Sequence, residues 1–201
     1  MAKYGAKYLR WAPFAETTPD SVEKNFPKYG DPISLGDLVR VTDTPTFNEA
    51  KLYGDNALKE YVNEFKECGV AVELTELSNS VASAVLGASI DAESENDLVF
   101  SAEDNAPYGG LAFYINKMVN GVKSYHGIFY PKLKAAMQGT EYATKGDSIT
   151  LVGGSLNFTA SAPMNEKWKV ESDDFPTEDE AKAWVDKKVA KAAAAAAKAV
   201  I

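Results

Sequence analysis

Apolar and polar positions alternate with period two along much of this chain, the pattern of strands that bury one face. The clearest run follows Gly69: Val70, Val72 and Leu74 point one way, while Ala71, Glu73 and Thr75 point the other. Strands are also expected over residues 7–11, 38–47, 98–102, 111–119, 122–130, 148–161 and 167–171. Val39, Val41, Thr42, Thr44 and Thr46 supply the β-branched character of the second of these. Asn120-Gly121 offers the positive φ angles a two-residue turn demands, so 111–119 and 122–130 should pair as a hairpin.

Three stretches break the rhythm. Leu58, Tyr61, Val62 and Phe65 recur at helical spacing, with Asp55 or Asn56 placed to cap a start and Gly69 to mark a stop, so periodicity alone predicts an amphipathic helix there. Ser78 or Asn79 opens a short helix carrying Val81, Ala84, Val85 and Leu86, which Gly87 ends. Near the C-terminus Thr177 and Glu180 form a capping box, and Ala181, Trp184, Val185, Lys188 and Val189 make one helical face. The alanine-rich run over 191–198 should carry that helix toward Ile201, a length of roughly 36 Å. The fold class expected is therefore mainly β, with one short internal helix and a C-terminal one. It divides into a β domain over 1–175 and an alanine-rich helix over 176–201.

Pro13, Pro19, Pro27, Gly30 and Pro32 punctuate a polar segment of little periodicity. Two readings stay open for residues 13–32, an arm reaching a neighbouring subunit or a locally disordered loop.

The 201 residues suit one domain with an appendage, and a hydrophobic fraction of 45% suffices for a core. With 29 acidic against 21 basic residues the net charge is −8, which argues against a surface built to grip nucleic acid. The single cysteine, Cys68, excludes an intramolecular disulfide and suits a reducing compartment such as a cytoplasm. No N-terminal stretch has the apolar core of a signal peptide, and no run approaches ~18 consecutive apolar residues, so no membrane association is expected.

Candidate chemistry is sparse. His126 is the only histidine, and between Tyr125 and Gly127 it reads as a plain strand residue. Cys68, beside a glycine, reads as a small loop residue. Asp91, Glu93, Glu95 and Asp97 resemble a calcium loop only superficially, since Asn96 and Ala102 stand where a glycine and a glutamate are required. Gly109-Gly110 and Gly153-Gly154 lack the Lys-Ser/Thr pair of a phosphate loop. No catalytic residue, metal or cofactor is assigned, and a binding or structural role is favoured.

Several motifs together resemble the major tail proteins, or tail tube proteins, of long-tailed bacteriophages. They are Leu52-Tyr53-Gly54-Asp55-Asn56, Phe65 through Gly69 leading into Val70-Ala71-Val72-Glu73-Leu74, Leu86-Gly87, Pro107-Tyr108 with Phe113-Tyr114, and Tyr130-Pro131-Lys132 ahead of Thr144-Lys145-Gly146-Asp147-Ser148. The resemblance spans about 35–173. It implies a β-barrel-like sandwich whose copies form hexameric rings, stacked into a tube through which DNA passes unbound. It implies further partners among tail proteins (tape measure, tail terminator, distal tail), assembly in a bacterial host's cytoplasm and residence in the virion. It also implies that 58–66 pairs with 70–77 as a hairpin around Glu67-Cys68-Gly69, overriding the helix that periodicity predicts. On that reading Tyr61, Asn63 and Phe65 join Val70, Val72 and Leu74 on the core side. Glu60, Glu64, Lys66, Glu73 and Thr75 then share the other side, a candidate lumen or inter-subunit face. The family's immunoglobulin-like C-terminal addition is missing here. The alternatives are a monomeric β-barrel binding a carbohydrate or other small ligand, and a hydrolase using carboxylates.

Overall fold

The computed structural model describes residues 2–15, 26–91, 93, 96–136 and 153–191. The chain is mainly β. Its strands are β1 (Ala2–Pro13), β2 (Ile33–Ser34), β3 (Leu38–Gly54), β4 (Ala57–Leu74), β5 (Ser89–Asp91), β6 (Asp97–Val99), β7 (Tyr108–Val119), β8 (Val122–Ala136), β9 (Gly154–Ala160) and β10 (Val170–Phe175). The helices are α1 (Asn79–Leu86) and α2 (Glu178–Lys188). Eight strands form one antiparallel sheet in the order β2-β1-β7-β8-β9-β4-β3, with β10 lying beside β8, and β5 and β6 make a separate small hairpin. Among the described residues the sheet does not close into a barrel.

The middle of the sheet is buried on both faces. Leu111 and Phe113 of β7, Ile128 and Tyr130 of β8, and Cys68, Val70, Val72 and Leu74 of β4 point into one core, with Leu9, Trp11, Leu156 and Phe158. Val85 of α1 joins that core. The alternate residues Ala112, Tyr114 and Phe129 face the other way, where Ala181, Val185 and Val189 at α2 cover them. Gly127 lets α2 approach: a Cβ there would lie 2.4 Å from Cε3 of Trp184.

Local chemistry explains the shorter elements. Ser78 caps α1, its hydroxyl accepting from Val81 N, and Gly87 ends the helix at φ 79°. Thr177 Oγ1 accepts from Glu180 N at 3.4 Å as the capping box predicts. Asn120 and Gly121 have φ 50° and 80°, the left-handed turn of a tight hairpin. Strand β6 is shorter than expected and β10 begins three residues later than expected.

Three expectations are corrected. Residues 57–74 are neither a helix nor a hairpin folded at Glu67-Cys68-Gly69, but one continuous strand. Gly69 lies mid-ladder between Thr44 and Thr159, with no positive φ. The turn falls instead at Asp55 and Asn56, with φ 51° and 58°, so β4 pairs back onto β3. Cys68 is accordingly no loop residue; it is fully buried in the core, and burial pushes its thiol pKa up. The C-terminal helix stops at Lys188, because Val189 is drawn into the core under it and Lys191 leaves to bridge Tyr29 and Asp31. The alanine run over 192–201, Lys145, Gly146 and Asp147, and the middle of the proline-punctuated segment lie outside the described residues. The ends of that segment are pinned together, Ala15 N donating to Lys28 O and Gly30 N to Pro13 O.

Candidate assembly surface and a buried polar relay

Strand β9 pairs with β4 only from Cys68 to Leu74. Among the described residues, β4 beyond Cys68 pairs with β3 alone, so Phe47–Gly54 and Ala57–Phe65 form a two-stranded ribbon whose outer edges no described strand pairs. At ~3.4 Å per residue it extends roughly 25 Å. Two bulges shape it, with register shifts between Thr46 and Phe47 and between Leu52 and Tyr53. The first leaves Lys66 without a partner across the ladder and changes the phase of β4. Phe65, Asn63 and Tyr61 therefore continue the face of Cys68, Val70 and Val72, whereas on an unbulged strand they would face the opposite way. Phe65 stacks on Trp168 at 4.5 Å and meets Phe47 edge-on at 6.1 Å. Lys51 Nζ lies over the Tyr61 ring and pairs with Glu49.

The opposite face of the ribbon presents Leu52 and Val62, 62% and 41% exposed, between Glu60 and Glu64. Glu73 lies on the same side further up, held by Arg40, and Thr75 lies past the end of β4, its N–H bonded to Asp37 O. Of the five residues grouped by the sequence, the structure places Glu60, Glu64 and Glu73 on one face, sets Lys66 at a bulge and puts Thr75 outside the strand. Tyr53, Gly54, Asp55 and Asn56 form the ribbon's tip, whereas Gly69 and Gly87 sit far from it. Tyr53 and Leu58 at that tip are 64% and 52% exposed.

A second feature went unseen in the sequence. Lys117 Nζ donates to Asp174 Oδ1 at 2.6 Å, and the same oxygen lies 2.9 Å from His126 Nδ1. His126 Nε2 is 3.1 Å from Glu171 Oε2. Lys169 Nζ bridges Glu171 Oε1 at 3.0 Å and Asp43 Oδ2 at 2.8 Å, and Tyr130 Oη donates to that Asp43 oxygen at 2.9 Å. Seven side chains thus tie β7, β8, β10 and β3 together. Lys117 and His126 are buried; the carboxylates reach the surface.

The electrostatics follow from those contacts. The hydrogen bond from Lys117 holds the Asp174 carboxyl below its usual range, with His126 adding to it. The bond from Lys169 lowers Glu171 likewise. Burial pushes Asp43 up, but the bonds from Lys169 and Tyr130 outweigh it and leave it lowered. Burial and the Asp43 charge together raise Tyr130. With both His126 nitrogens engaged by carboxylates, the arrangement is a clamp between strands. Only the register of β8 against β7 and β10 brings these residues together, Ile115 and Asp174 both standing opposite His126. No local motif announces it.

No protein-family model matches the chain, and no curated protein matches it significantly. No helix among the described residues is long and apolar enough to cross a membrane.

Proposed function

We propose that the chain is a structural protein that assembles with copies of itself, of the phage tail-tube type its motifs resemble. The observation that carries this reading is the β3–β4 ribbon. An isolated two-stranded hairpin is marginal in water, and this one exposes Phe47, Leu52, Tyr53, Leu58, Tyr61 and Val62. A partner that covers those side chains and pairs the outer edges resolves both problems. Monomeric proteins commonly keep such edge strands short; here the edge strand β3 runs from Leu38 to Gly54.

The charge balance suits a conduit. A wall of net negative charge does not retain a polyanion, so DNA passes without binding. On this reading the partners are other copies in hexameric rings, then the remaining tail proteins, and the role is architectural rather than catalytic.

Negative-stain electron microscopy of concentrated protein tests it. Rings or tubes are the expected result. A protein that stays monomeric at millimolar concentration, and binds a carbohydrate or other small ligand, would overturn it in favour of a ligand-binding β module.

A further inference from the structure

The ribbon's exposed acidic face has a counterpart on the same chain. Residues 2–7 and 117–124, which form the start of β1 and the β7–β8 turn, contain Lys3, Lys7, Lys117 and Lys123 and no carboxylate. Lys117 is spent on Asp174, whereas Lys3, Lys7 and Lys123 are exposed. Of these, Lys7 and Lys123 share a face with Tyr4 and Met118, which are 44% and 41% exposed, whereas Lys3 lies on the other face beside Lys117. The nearest carboxylate of α2, Glu178, is taken by Tyr114 Oη at 2.6 Å and Lys182 Nζ at 3.3 Å. One end of the sheet therefore offers an apolar patch rimmed by lysines. The ribbon offers an apolar pair, Leu52 and Val62, rimmed by Glu60 and Glu64.

The ladder places these two surfaces at the same height on opposite flanks. Cys68 stands opposite Ala160, and Ala160 opposite Leu133. From that common level β4 and β8 run an equal number of residues down to their turns, Cys68 to Ala57 and Leu133 to Val122. The ribbon belongs to the β3 flank of the sheet. The lysine patch borders β1, whose outer edge pairs with no other described strand below the two-residue pairing with β2 at Arg10 and Trp11. A contact between unlike surfaces at one height joins copies side by side, and such a contact closes into a ring when its rotation divides a full turn.

We infer that the Glu60/Glu64 face of one copy's ribbon seats on the Lys7/Lys123 end of the next copy. This deepens the assembly reading and rests on it, and it assigns the glutamate face to the subunit contact rather than to the lumen. The apolar centres supply the burial and the charged rims fix partner and orientation.

Charge reversal tests the assignment. In sedimentation velocity, Glu60→Lys with Glu64→Lys, and separately Lys7→Glu with Lys123→Glu, each weaken association by about tenfold or more while far-ultraviolet circular dichroism is unchanged. The four reversals combined in one chain restore association. Mixing the two double variants restores association, because each variant's ribbon is complementary to the other's end and the two alternate along the assembly. Assembly that persists in both double variants, or that the fourfold variant fails to recover, overturns the docking assignment alone. A wild-type chain that never associates overturns the assembly reading and this one with it.

Discussion

At the scale of single residues, the Lys117–Asp174–His126–Glu171–Lys169–Asp43–Tyr130 chain decides how the molecule responds to mutation and acid. Lys117 is buried, and Asp174 is its carboxylate partner. Removing one partner of a fully buried pair costs roughly 3–5 kcal/mol. Asp174 is partly exposed, so solvent reaches the lysine when the carboxylate is lost, and Asp174→Ala is expected to cost about 2 kcal/mol in urea unfolding. The pH dependence has a defined sign. Asp174, Glu171 and Asp43 have folded pKa values below their unfolded ones, so the folded chain refuses protons that the unfolded chain accepts. Their stabilisation is complete above the ordinary carboxylate range near pH ~4 and declines as pH falls through the lowered folded values. The midpoint of urea unfolding should therefore drop below about pH 5. Asp174→Asn should flatten that drop.

At the scale of elements, the sheet and α2 are held by close backbone approach as much as by burial. Gly127→Ala places a methyl against Trp184, on the backbone of a central strand that cannot retreat. A cost of about 2 kcal/mol and altered Trp fluorescence are expected, with β7–β8 pairing retained. The ribbon behaves oppositely, because it packs on little within its own copy. Replacing residues 49–63 by Asn-Gly joins Asn48 to Glu64 through a two-residue turn, in register with the ladder that remains. The shortened chain should keep a melting temperature within a few degrees of the parent and lose assembly; a collapse of the fold would show that the ribbon is part of the core.

The elements differ in how far they could be read in advance. Ser78 and Gly87 around α1, the Thr177 capping box and the Asn120-Gly121 turn are each set by two or three neighbouring residues, and those were legible. The ribbon was not. Both of its faces carry apolar residues, Leu58, Tyr61 and Phe65 on one and Val62 on the other, and bulges interrupt the period of two. The result imitates a helical spacing, and Gly69 imitates a stop. Asp55 and Asn56 suit a helix cap as well as a turn, and the turn is hidden because the β-branched pattern of β3 fades after residue 47 although the strand runs on to Gly54. The polar relay was out of reach altogether, since Asp43, Lys117, His126 and Asp174 meet only once the ladder registers are known.

At the scale of the whole molecule, the domain combines a doubly covered centre with an uncovered extension, and the two should differ in opening free energy. Amides of β7 and β8 lie in a sheet buried on both faces, with β1 on one side and β9 and β10 on the other. Amides of Phe47–Gly54 and Ala57–Phe65 lie in a ribbon with exposed side chains on both faces. In dilute protein, hydrogen exchange should be slow across 111–116 and 126–130 and fast across 47–65. On assembly the first set has nothing further to gain, because nothing there faces a neighbour. The ribbon gains a partner for its apolar side chains and for at least one outer edge, so its exchange should slow by tenfold or more, about 1.4 kcal/mol of added protection. Protection that rises uniformly over the whole domain would instead mean that association tightens the fold globally. Protection that leaves 47–65 unchanged in material shown by microscopy to be assembled would mean that the ribbon lies outside the contact.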